Sequence, residues 1–121
     1  MEKEDFSPIL MDTGKVMKQC VDVAIDCVTV FMGAYQAFGN VKDAFTDADL
    51  HKLLIKLVFH SLRLHHPNVA RFAHTIVDML LQDLLPGDIY EEASFCFFSI
   101  LQKKVAGLTP VDPLITVLEE N

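Results

Sequence analysis

The stretch from Asp88 to Ala106, reading DIYEEASFCFFSILQKKVA, narrows what this chain can fold into more than any other. On a helical wheel its apolar residues, from Ile89 and Tyr90 through Phe95, Phe97 and Phe98 to Leu101 and Val105, point in nearly every direction. Only Glu92, Ser99 and Lys103 form a thin polar line. A helix apolar almost all round belongs in an interior. The stretch is therefore expected to be a central rod wrapped by the rest of the chain. Asp88 with Glu91 three residues on reads as a capping box, and Lys103, Lys104 and Gly107 suit a carboxyl end.

The remaining segments supply the wrapping. Met1 to Phe6 is polar and expected to fray, Ser7-Pro8 starts a short apolar turn, and Thr13-Gly14 interrupts it. From Lys15 to Phe38 the spacing is helical. Val16, Met17, Cys20, Val21, Ala24, Cys27, Val28, Phe31, Tyr35 and Phe38 form one broad stripe, opposite a polar line of Lys15, Lys18, Asp22, Asp26, Thr29 and Gly33. Gly39-Asn40 ends this helix, and Val41 to Phe45 reads as a connector or a helical turn.

Thr46 as a cap, with Asp47 and Asp49 in the first turn, opens a helix that runs to His65-His66, where Pro67 disfavours helical geometry in the residue before it. Pro67 or Asn68 opens the next helix, and Leu85-Pro86-Gly87 turns into the central one. Asp112-Pro113 starts a last short helix, Leu114 to Leu118. Glu119 and Glu120 sit at the wrong end for its dipole, which predicts either a fraying tail or a chain that continues past Asn121.

Sustained period-two alternation is missing, and so is any Asn-Gly or Asp-Gly hairpin turn. The expected class is all-α, a compact single-domain bundle of five to six helices over residues 1–121, favoured over a fragment of a helical solenoid. The longest uncharged run, Cys27 to Val41, falls short of the roughly 20 residues of a spanning helix, so no membrane span is expected. Nor does MEKEDF read as a leader. Cys20 and Cys27 lie two helical turns apart, roughly 10 Å, too far to bridge, and with Cys96 they read as reduced core thiols of a cytoplasmic or nuclear protein. A net charge of −7 argues against nucleic acid as a partner.

Residues able to carry chemistry have structural readings that suit them better. His60 shares a stripe with Lys56 and Arg63, whose charges would repel a metal ion, and His65 and His66 sit at a helix end favourable to imidazole. His74, one turn from Asp78, is expected to pair with it on the surface. No HExxH or CxxC occurs, so no metal, haem or other cofactor is expected. Cys96 and Ser99, set among apolar neighbours, read as packing. Asp22 with Asp26 reads as solvated, and Glu91 with Glu92 as helix-capping, so no catalytic residue is assigned and no enzyme is expected.

Half of the residues are hydrophobic, 51%, at the upper end for a soluble monomer. This inventory suggests a helical interaction module that self-associates, as a homodimer for example, or docks a partner's amphipathic helix as an adaptor does. The expected contact face is the second apolar row of the first long helix, Val23, Val30, Ala34 and Ala37, with Phe31 and Tyr35 as marginal anchors. The alternatives are a carrier holding a lipid or other hydrophobic ligand in the bundle interior, and a haem- or metal-binding helical protein.

Overall fold

The computed structural model describes the backbone of residues 2–108 and the side chains of residues 14–108. Five helices follow in order: α1 Glu2–Phe38, α2 Val41–Ala44, α3 Ala48–Leu62, α4 Val69–Leu84 and α5 Gly87–Leu108. No strand occurs among the described residues. The protein is an all-α bundle, and the expected helix at Leu114 to Leu118 lies outside the described residues.

Local chemistry sets the boundaries. Gly39, at φ +80, takes the left-handed conformation open to glycine and donates its N–H to the Tyr35 carbonyl at 2.8 Å, which ends α1. Asn40 then caps α2, its side chain accepting from the Asp43 N–H. The cap of α3 is Asp47, accepting from Leu50 N–H at 3.0 Å, rather than Thr46, whose hydroxyl is committed to the Asp43 carbonyl. Asn68 caps α4 by accepting from Arg71 N–H at 3.0 Å.

Other boundaries also differ from expectation. α3 stops at Leu62 rather than His65-His66, and His65 makes the turn at φ 54, an uncommon conformation for a residue bearing a Cβ. α5 begins at Gly87, which puts Asp88 inside the first turn rather than at the cap. Thr13-Gly14 does not interrupt α1, whose backbone runs through it as helix.

α3 packs against α1, α4 and α5, and α4 and α5 pair as neighbours. Where α1, the α2–α3 connection and α5 meet, three rings touch. Phe31 lies 5.0 Å from Phe45 and 5.3 Å from Phe97, and Phe45 meets Phe97 edge-on at 4.7 Å. Below them, Cys20 and Cys27 are buried free thiols of α1, with Cys20 Sγ 3.9 Å from the buried Ser61 hydroxyl of α3. Burial pushes the Cys27 thiol up to about 12, with Asp26 adding to the effect, so it is inert packing.

The stretch Asp88 to Ala106 is helical throughout, but the bundle covers less of it than its composition suggests. Only the row Ala93, Phe97, Leu101 is fully enclosed, while Phe95 is 72% exposed and Cys96 is half-buried. α5 lies along α3 and α4 as a flank of the bundle. The residues at 0% exposure on α3, Leu50, Leu54, Leu57, Val58 and Ser61, make that helix the more central one. The backbone of α5 packs along α2, α3 and α4 only, so part of its apolar circumference stays outside.

Candidate functional site

α4 and α5 bring together the one dense cluster of polar side chains among the described residues. His74, Asp78 and Gln82 follow each other by one turn on α4, and Tyr90 and Ser94 do so on α5. Asp78 is the hub. Its Oδ1 accepts from the Ser94 hydroxyl at 2.8 Å, and its Oδ2 from the Tyr90 hydroxyl at 2.9 Å and Gln82 Nε2 at 3.2 Å. His74 Nε2 is 2.9 Å from Ser94 Oγ and 3.8 Å from Asp78 Oδ1.

The direction of the Ser94 proton decides what this cluster can do. Because that proton goes to Asp78, His74 must donate its Nε2–H to Ser94 Oγ, and serine sits between imidazole and carboxylate. A nucleophilic serine needs the imidazole as acceptor of its proton, with the carboxylate behind the imidazole. The order here is the reverse, and the cluster reads as a polar strap holding α4 to α5. The open depression beside it, about 310 Å³, is lined by Arg71, His74, Thr75 and Phe98. Its Thr75 hydroxyl is already committed to the Arg71 carbonyl.

Burial lowers the pKa of His74 against the opposing pull of the Asp78 charge, and Arg71 adds to the lowering. Burial also lowers that of His60, with help from Arg63 and Lys56. For Asp78, burial acts upward, but the Ser94, Tyr90 and Gln82 donors outweigh it and hold the carboxyl below its usual range.

An imidazole with a lowered pKa binds its proton more tightly in the unfolded chain, so stability should fall as pH drops through the ordinary 6.5 toward the folded values. The Asp78 contribution is present above the ordinary 3.8 and is lost only below it. Urea midpoints measured between pH 7.5 and 5 are expected to decline, and to decline less in a His74→Gln, His60→Gln double variant. An unchanged slope would place both imidazoles in water.

The expected contact face requires correction. Val23, Phe31 and Ala34 are buried in the core, Val30 and Tyr35 are half-buried against it, and of the six residues only Ala37 is exposed. Phe31 belongs to the ring cluster and cannot anchor anything outside it. The outer surface of α1 is instead Met17, Val21 and Ile25, between 37% and 44% exposed and one turn apart. The first two come from the stripe expected inside, and Ile25 from neither row. The polar line of Lys15, Lys18, Asp22 and Asp26 is exposed beside them, as its spacing suggested.

His74 and Asp78 do approach, but half-buried between two helices rather than on the open surface. Ser94, Tyr90 and Gln82 were not foreseen as their partners. The signal was present as polar residues four apart on both helices, yet only the register of α4 against α5 joins them. His60 turns its ring against Phe59, and its Nδ1 is enclosed without a hydrogen-bond partner. Among the described residues no three histidine, cysteine or acidic side chains converge on a metal-sized site.

The segment Gly14–Phe38 of α1 is, by length and composition alone, long and apolar enough to cross a membrane. The uncharged run Cys27 to Val41 covers only the carboxyl-terminal part of this segment, whose amino-terminal part carries scattered charges. Within it Cys20, Ala24, Cys27 and Phe31 are at 0% exposure, and 33% of its most apolar window is buried in the bundle. No family model, curated protein or solved structure matches the chain.

Proposed function

We propose that this chain is a non-enzymatic helical interaction module that docks an amphipathic helix, from a partner or from a second copy of itself, against the outer face of α1. The observation carrying this reading is the row Met17, Val21, Ile25, a line of large apolar side chains at one-turn spacing that the bundle leaves partly in water. Such a line is the half of a helix–helix seam that a second helix completes. A reducing, cytoplasmic or nuclear setting suits its three free cysteines.

The carrier alternative needs room among the interior aromatic residues. Here Phe31, Phe45 and Phe97 fill that space with one another, which favours the docking reading. In sedimentation velocity over a concentration series, and in capture of partners from the native host, the wild-type chain is expected to associate. Ile25→Asp should abolish that association while helicity and melting stay unchanged, since the side chain is 44% exposed. Association that survives Ile25→Asp would remove this face from consideration.

A further inference from the structure

We infer that the occupant of the α1 face is a second copy of this chain, laid antiparallel about a two-fold axis through Val21. This deepens the docking reading above and rests on it. The argument is charge order. Beside the apolar row runs a strip of four exposed charged residues, with Lys15 and Lys18 toward its amino end and Asp22 and Asp26 toward its carboxyl end. None of the four is held in an ion pair among the described residues, including Lys18 and Asp22, whose spacing allows one.

When two identical helices pack antiparallel across a two-fold axis, the same flank of each meets the same flank of the other, with its direction reversed. With Val21 on the axis, Met17 lies against the other copy's Ile25. Lys15 and Lys18 then fall beside Asp26 and Asp22 of that copy, on both sides of the axis. A parallel pair would turn the strip of each helix toward the opposite flank of the other, the side of Cys20 and Ala24 that lies in the core, and leave the charges unmatched. An unrelated partner helix would have to supply its own acidic-then-basic strip, whereas this chain already carries the complement of itself. The apolar row is three residues long, so the dimer is weak.

The test uses the full chain in a Cys96→Ser background, with single cysteines placed at exposed α1 positions and oxidised by copper–phenanthroline in air. Val21→Cys is expected to cross-link to itself. Met17→Cys and Ile25→Cys should each fail alone and cross-link when mixed. Making the strip uniformly acidic (Lys15→Glu, Lys18→Glu) or uniformly basic (Asp22→Lys, Asp26→Lys) should weaken association about tenfold, and a one-to-one mixture of the two should restore it. Circular dichroism of each variant checks that it is folded.

Self-cross-linking at all three positions would mean a parallel pair and would overturn the inference. Cross-linking at none of them would also overturn it. So would a monomer whose thiol at position 21 becomes reactive only after residues 109–121 are deleted, because the chain's own end would then cover the row. These failures leave the docking reading standing as long as Ile25→Asp still abolishes some association, so the two can fail separately.

Discussion

Phe97→Ala is expected to cost about 3–5 kcal/mol of folding free energy, because the ring is fully enclosed and its removal leaves a cavity beside Phe31 and Phe45. Domains of this size are stable by only about 5–15 kcal/mol, so the variant should lose a large part of its stability and melt roughly 10–20 °C lower. Phe95→Ala, two residues away on the same helix, is the control. That ring is 72% exposed, and its loss should change stability by no more than about 0.5 kcal/mol. Urea denaturation of the two variants side by side checks the assignment. Equal losses would mean that α5 is enclosed on all sides, as its composition alone suggests.

Asp78→Ala is expected to have the next largest effect, about 2 kcal/mol. It strands the Ser94 and Tyr90 hydroxyls at a half-buried seam, with the cost reduced below that of a dry interior because water reaches part of the site, including the exposed Gln82 amide. Asp78→Asn, which keeps one carbonyl oxygen as an acceptor, should lose less. Tyr90→Phe removes one of the three donors and should cost about 1 kcal/mol, and combined with Asp78→Ala it should cost less than the sum, since both act on one bond. Strict additivity in that cycle would show that the strap does not hold α4 to α5. With the Asp78 charge gone, the pKa of His74 should move further down, a direction that NMR titration of the imidazole can follow.

Much of the helical framework was legible because its causes are local. Gly39 ends α1 by accepting a positive φ, Asn68 caps α4, and the break at Pro67 separates α3 from α4, each acting within a turn of its own position. The misplaced boundaries have the same local origin. Thr46 and Asp47 are both good caps, and the hydroxyl of Thr46 was taken by Asp43, a competition the linear string does not show. Thr13-Gly14 looked like a break because glycine disfavours helix, yet one such residue costs only about 1 kcal/mol and a long helix tolerates it.

Which face of each helix lies inside was not decided by the string. α1 carries apolar residues over more of its circumference than the bundle can cover, so composition alone established that some would remain outside without saying which. The packing of α3 and α4 on α1 chose the arc containing Val23, Phe31 and Ala34 and left Met17, Val21 and Ile25 at its edge. For α5 it chose the row Ala93, Phe97, Leu101 and turned Phe95 out. Likewise, residue spacing brought His74 within reach of Asp78, but only the α4–α5 register added Ser94 and Tyr90. Periodicity and capping act along one helix and are written in neighbouring residues; burial and cross-helix hydrogen bonds depend on how two helices are rotated about each other, which only their packing sets.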